Sequence, residues 1–465
     1  MNLILLKDNR YVRKVLTAFV CLSIVQLFIY LNHVQPHYFI DEVFHVPQTL
    51  RYCAGNFTQW DPKITTLPGL YLIATLILSP LQLCNAFYMR CINLLGTFLN
   101  LYLAHSIIEQ ISTRRWEQKW NDWMKFTIAC NVMLFPPLFF WHFLYYTDVA
   151  SVNAVLLMLL LHSCKQFKTA AFVGLLSVLI RQTNIIWVAF ITVEHLFDLL
   201  DHKISKSISY QQYTSTIYLK LLWEKVIRKT CHKWELFMRF IIQLFTQLFP
   251  YVIVCLTFVM FVIWNKGIVV GDKRAHIPTI HIPQLLYFST FLFCFLWPYM
   301  IIYWKDYFKF INKRWVFASC VLILLTVIVY FNTLVHPYML ADNRHYIFYF
   351  WNKLMGRYKQ FKYLLVPVYS FTLYTMFHGF KHLRFATQVN YTFMISMVLI
   401  PQLLIEPRYF IIPYILYRLS IKKPKKWQII AESATTLIVN FLQFYIFINK
   451  VFYWDDQPYP QRISW

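Results

Sequence analysis

The chain has 465 residues, of which 59% are hydrophobic, 20% aromatic and only 14% charged. A soluble protein this apolar would aggregate, so a water-soluble design is excluded and lipid is the natural solvent. The net charge of +24, from 44 basic and 20 acidic residues, sits largely in loops between apolar runs. There it suits anionic headgroups, topology control or a lipid-phosphate ligand, and no nucleic-acid motif supports the other reading.

At the N-terminal end, Lys7, Arg10, Arg13 and Lys14 precede an apolar run from Val15 to Leu31 that ends in Leu-Asn-His. A cleavable signal would be shorter and end in small residues, so the run is predicted to be a retained first span with a cytosolic start. The next stretch, His33 to Thr66, packs polar, aromatic and charged side chains together and contains the adjacent acids Asp41 and Glu42. Apolar runs then recur at 67–83, 87–108, 125–145, 149–164, 170–190, 240–264, 284–303, 315–335, 363–380, 391–405, 408–419 and 430–449. With the first run at 12–32 they predict about 12–14 spans, counted as thirteen. Each is about long enough to cross ~30 Å of hydrocarbon except 408–419, which reads as part of a broken or tilted helix. No soluble domain or internal repeat interrupts them. The predicted fold is an all-α polytopic transmembrane bundle, one integral membrane domain over residues 1–465, with a structured loop after the first span.

Basic loops set the orientation. Residues 191–239 carry Lys203, Lys206, Lys220, Lys225, Arg228, Lys229, Lys233 and Arg239; 304–314 and 420–427 are similarly basic. Thirteen spans put all three on the cytosolic side and gather 33–66, 265–283 and 336–362 on the opposite side. The loop 109–124 (Arg114, Arg115, Lys119) and basic 353–362 dissent. The mixed aromatic and basic stretch Trp351 to Lys362 suits an amphipathic surface helix.

Carboxylates concentrated beside a bilayer point to chemistry. A partly desolvated carboxylate can act as a general base. Adjacent acids on a helix diverge by about 100°, so one of Asp41 and Glu42 would face a substrate; a helix cap or solvated turn is the structural alternative. His37, Asp41 and His45 fall at i, i+4 and i+8, but no HExxH-type signature accompanies them and no metal site is assigned. His378 and His382 look interfacial. Arg181 interrupts an apolar run and is followed by Gln182, Thr183 and Asn184, which suits a phosphate donor or a structural ion pair. Arg344, beside Asp342, Asn343 and His345, and Arg408, beside Glu406 and Tyr409, offer forked donors to phosphate. Asp148 and Asp272 are weaker candidates, and Asp148 could equally cap a helix. GxGxxG, GxxxxGK[ST] and DxD are all absent. Asn56-Phe57-Thr58 is a glycosylation sequon close to the acids. Of the ten cysteines, Cys21, Cys84, Cys91, Cys130, Cys164, Cys255, Cys294 and Cys320 lie in or at the edges of apolar runs, with no CxxC; neither a structural disulfide nor zinc is expected.

In order and spacing, FIDEVFHVPQTLRYCAGNFTQWDPKITTLPGLYL, LYYTD, RQTNIIW, HPYMLADNRHY and EPRYFIIPY resemble the family of endoplasmic-reticulum alpha-1,2-glucosyltransferases that add the last glucose to the lipid-linked oligosaccharide. The likeness runs from about residue 12 to the C-terminal QRISW. It implies a GT-C-like enzyme of the endoplasmic-reticulum membrane with a luminal site, dolichyl-phosphate glucose as donor, diglucosylated Man9GlcNAc2 on dolichyl diphosphate as acceptor, and inversion from a beta donor to an alpha-1,2 product. The family's first-loop acid matches Asp41-Glu42, and such enzymes generally need no metal or other cofactor. Arg181, Arg344 and Arg408 would then sit near the leaving phosphate. His45, Trp60, Asp61, Asp342 and His345 are the further substrate-binding candidates, with Phe57 and Trp60 able to stack on sugars. The partners implied are the two dolichyl-linked substrates and membrane lipids, not nucleic acid. The alternative is a non-catalytic transporter or channel-associated membrane protein, which would place its key charges near the midplane, often with repeat symmetry.

Overall fold

The computed structural model describes residues 10–114, 120–204, 215–228, 232–273, 278–422, 424–455 and 457–465. Lys7, Arg115, Lys119, Lys206 and Lys229, named above, and position 423 of the basic stretch 420–427 lie outside them.

Helices follow the apolar runs because a backbone without water must satisfy its own hydrogen bonds. The first nine are α1 (Arg10–Val34), α2 (Glu42–Cys53), α3 (Gly69–Leu78), α4 (Ala86–Arg114), α5 (Asp122–Met133), α6 (Pro136–Phe139), α7 (Thr147–Ser163), α8 (Phe167–Ile180) and α9 (Ile185–Ile204). Long helices follow at Trp234–Asn265, Pro283–Met300, Trp315–Asn332 and Lys426–Asn449, with shorter ones at Val366–Gly379, Phe385–Leu399 and Ile411–Ser420. The two short strands, Val451–Phe452 and Gln461–Arg462, pair antiparallel. The chain is an all-α polytopic membrane protein.

Seven helices among the described residues are long and apolar enough to span, or eight if the bent pair α5 and Pro136–Phe143 counts once. The other predicted spans are broken or short for physical reasons. Pro136 and Pro137 deny the run 125–145 a continuous hydrogen-bond ladder, and its halves meet at 57°. The run 170–190 breaks at Arg181, whose backbone is extended (φ −147°, ψ 114°), so α8 and α9 are separate helices. Helices α3, α7 and α8 are apolar but only 10–17 residues long.

Three further expectations are corrected. Residues 191–239 are not one loop: α9 runs to Ile204, and Lys233 immediately precedes the next long helix. On α9, Glu194, Asp198 and Asp201 clasp Arg384 at 2.7, 2.6 and 2.8 Å. The stretch Trp351 to Lys362 is not one amphipathic helix but a π-type turn, Trp351–Met355, and a separate short helix beginning at Phe361. Finally, Cys53 and Cys84 form a disulfide across 31 positions. No local motif announces this pair; it forms because the end of α2 folds back beside the start of α4.

The core brings together α4 with α5 and α7, α7 with α8, and Pro283–Met300 with Val366–Gly379 and Lys426–Asn449. Gly69 lets α3 approach α8 closely, since a Cβ there would lie 2.6 Å from the Leu179 carbonyl. The polar segments expected on one side do converge. Val270 N–H donates to the Thr65 carbonyl at 3.3 Å, and Gly271 (φ +76°) turns against the Pro62 and Ile64 carbonyls. Tyr346 N–H donates to the Ser464 carbonyl, while buried Arg462 donates to the Gln35 side chain and the Val34 carbonyl, both at 3.1 Å.

Candidate active site

Backbone strain separates the two neighbouring acids. Ile40 has φ +46°, a left-handed conformation costly for a β-branched residue. The tight turn it makes places Asp41 at the start of α2, where its backbone N–H donates to the Tyr146 hydroxyl at 2.9 Å. The same hydroxyl donates to the Phe39 carbonyl, also at 2.9 Å.

Glu42 turns inward and is fully buried. Arg90 donates Nε to its Oε1 at 2.9 Å and Nη2 to its Oε2 at 2.6 Å. The backbone N–H groups of Tyr145 and Phe39 complete the set at 2.7 and 3.0 Å. Arg90 in turn donates to Asn32, to the Gln35 carbonyl and to the His37 carbonyl. With four donors and no exposed surface, Glu42 ties α2 to α4 and has no free oxygen for a substrate proton.

Asp41 faces the other way. Its side chain keeps about a third of its surface exposed (32%), and Oδ2 accepts from Arg408 Nη1 at 2.9 Å. Arg408 also pairs with Glu406 at close range, lies 3.7 Å from Asp148, and stacks over Trp141 and Tyr146 with its guanidinium carbon 5.1 and 5.5 Å from the ring centres. Asp148, 1% exposed, accepts from Arg181 at 2.5 Å through Oδ1. Arg181 and Arg408, 227 positions apart by their numbers, thus flank one buried carboxylate. They line a small, partly open cleft whose other walls include Thr183, Asn184, Trp187, Val398 and Ile412.

Burial works to raise the Asp41 carboxyl, but the charges of Arg408, His45 and His345 outweigh it and hold the group below its ordinary value of 3.8. His45, on α2, is buried and its Nδ1 lies 2.7 Å from the Tyr71 hydroxyl. Its pKa is lowered, chiefly by burial. His37 is outside α2 and stacks on Tyr459 at 3.5 Å, so the helical i, i+4, i+8 trio does not form.

The remaining candidates form satellites. Trp60 packs 5.8 Å from Tyr71 and donates to the Ile64 carbonyl. Asp61 closes a local turn, accepting from Lys63 N–H at 2.9 Å, and does not reach the arginines. Phe57 packs against Tyr52 with 55% of its surface exposed. Asp342 and Arg344 pair with each other at 2.7 Å, and Arg344 stacks on Trp454 at 4.6 Å rather than joining Arg181 and Arg408. His345 lies 3.7 Å from Asp342 and contacts the Trp465 carbonyl at 2.7 Å.

Sequence reasoning passed over Arg90, Trp141 and Tyr146 and undervalued Asp148. Arg90 stands inside an apolar run as Arg181 does, and the same rule for charges at membrane depth applies to both. It applies equally to Arg418 and Glu432, a pair 1% exposed on each side and 2.6 Å apart.

The fold and site define a polytopic membrane protein with a partly exposed carboxylate paired to one of two neighbouring, half-buried arginines that line a cleft with polar and apolar walls. The family model described as the DIE2/ALG10 family matches residues 35–419; the chain belongs to this family. Its curated relatives include proteins named Dol-P-Glc:Glc(2)Man(9)GlcNAc(2)-PP-Dol alpha-1,2-glucosyltransferase. One from Drosophila melanogaster is 37% identical over 92% of this chain and 94% of its own. One from Rattus norvegicus is 34% identical, covering 92% and 93%. One from Arabidopsis thaliana is 30% identical, covering 96% and 99%. No solved structure matches the chain.

Proposed function

We propose that the protein is an inverting alpha-1,2-glucosyltransferase of the endoplasmic-reticulum membrane. It moves glucose from dolichyl-phosphate glucose to Glc2Man9GlcNAc2 on dolichyl diphosphate, with its site on the luminal side. Relatives carrying that activity in their names match nearly end to end. The observation that carries the chemistry is Asp41: partly exposed, ionised, and 2.9 Å from an arginine that lines the cleft.

Asp41 is the proposed general base and Glu42 is not. The acceptor's 2-hydroxyl oxygen attacks the donor's anomeric carbon and gives its proton to the Asp41 carboxylate. The bond from that carbon to the phosphate oxygen breaks, and its electron pair leaves with dolichyl phosphate. That leaving group needs cations more than a proton donor, and Arg181 and Arg408 supply them in a water-poor cleft. The apolar wall formed by Trp187, Val398 and Ile412 suits the first prenyl units. His45, its pKa lowered chiefly by burial, and Trp60 are proposed as contacts of the sugar. Asp61, Asp342, Arg344 and His345 are proposed as the more distant contacts of the acceptor glycan. No metal or other cofactor has a part in this scheme.

The test is transfer by microsomes or purified protein from dolichyl-phosphate glucose to a defined diglucosylated lipid-linked acceptor, with the product linkage read out. An alpha-1,2 terminal glucose is expected. No transfer, or another linkage, overturns the reading.

A further inference from the structure

We infer that Asp148 is a positioning residue that holds Arg181 and Arg408 as a two-armed phosphate clamp, and that Asp41 occupies the open side of this clamp until the donor's phosphate displaces it. The inference rests on the proposed transferase reading and adds an order of events to it: the donor binds first and, by taking Arg408, frees the base.

Three carboxylates surround Arg408, and their burial distinguishes them. Glu406 is two residues away on the same segment and 10% exposed. Asp148 is 1% exposed and is shared, with Oδ1 on Arg181 and Oδ2 facing Arg408 at 3.7 Å, with no hydrogen-bond partner among the described residues. Both are fixed parts of the wall. Asp41 alone is about one-third exposed, sits on a strained turn, and holds Arg408 through one 2.9 Å contact. A phosphodiester entering the cleft brings oxygens that suit an arginine fork better than a single carboxylate oxygen does. Arg408 stays aligned during the exchange because it is stacked on Trp141 and Tyr146. Asp148 cannot follow, since Arg181 retains its other oxygen. With Arg408 engaged by phosphate, the Asp41 carboxylate loses its strongest ion pair and turns to the acceptor hydroxyl.

This competition makes an unusual demand on one variant. Asp41→Asn removes the rival for Arg408, so it should abolish turnover while tightening binding of dolichyl-phosphate glucose by roughly two- to fivefold, the order expected for losing a partly exposed ion pair. Asp148→Asn should raise the donor KM by at least tenfold with a smaller change in kcat, because it unseats both arginines rather than the base. The experiment measures equilibrium binding of a short-chain dolichyl-phosphate glucose to purified wild type, Asp41→Asn and Asp148→Asn, alongside steady-state kinetics of wild type and Asp148→Asn. Tighter binding by Asp41→Asn and weaker binding by Asp148→Asn support the inference. Binding unchanged or weakened in Asp41→Asn, in protein that elutes and melts like wild type, overturns it. No donor binding by wild type would instead overturn the transferase reading itself. An Asp41→Ala variant supplies the same comparison should the amide pair with Arg408.

Discussion

Arg90 holds Glu42 through both carboxylate oxygens, at 2.9 and 2.6 Å, with neither side chain more than 2% exposed. Asp41, one residue earlier, holds Arg408 through a single oxygen and keeps about a third of its side-chain surface exposed. Two acids that look interchangeable in sequence therefore have separate surroundings, one joining helices and one paired with an arginine that lines the cleft.

Their variants should fail differently. Asp41→Asn should accumulate normally and lose at least a hundredfold in kcat, the ordinary contribution of a general base. Glu42→Gln leaves Arg90 without a counter-charge in a dry site, at a cost of about 3–5 kcal/mol. Expression and melting in detergent separate the two: a Glu42→Gln protein as stable as wild type would refute its structural role.

The Cys53–Cys84 bond fastens the end of α2 to the entry of α4, the two helices that carry Glu42 and Arg90. Closing a loop across 31 positions is worth about 3–4 kcal/mol in the chain-entropy account. Cys53→Ser with Cys84→Ser should lower melting and activity together. Maleimide labelling checks the pairing, since modification of Cys53 in unfolded, unreduced protein would disprove the bond.

The ion pair also sets a pH dependence. Asp41 faces Arg408, His45, His345 and Tyr146, with Asp148 on Arg408 beyond them; burial raises its pKa and Arg408 leads the groups that lower it. Because the folded value lies below the unfolded one, the pair adds stability above the unfolded value, and this is lost as pH falls through the folded value. In the free enzyme the acid limb of kcat/KM should fall below the ordinary 3.8. Arg408→Gln removes the leading lowering charge but not the burial, so its residual kcat/KM should show the limb moved to higher pH. An unmoved limb would show that another group is the base.

Arg181→Gln and Arg408→Gln should each raise the donor KM at least tenfold, since each removes a charge-assisted contact to phosphate worth about 1.5–3 kcal/mol. Arg344→Gln, whose guanidinium is engaged with Asp342 and Trp454, should leave donor KM within about threefold. Initial rates at varied donor and fixed acceptor settle the ranking. Transfer should also survive EDTA, and loss of activity that divalent ions restore would revive a metal-dependent step.

The sequence by itself determined the solvent, the helical class and the segment bearing the acids, because apolar run length and the scarcity of charge are properties of the chain alone. Its motifs also brought the family into view. Only the tertiary structure decided which acid keeps exposed surface, because Asp41 and Glu42 differ in partners lying 367 and 48 positions away. It likewise decided that Cys53 meets Cys84, that Asp148 lies between two arginines, and that Arg344 does not join them. Ion pairs and disulfides depend on distance in space, which folding sets, whereas hydropathy accumulates along the chain and is legible before any fold is known.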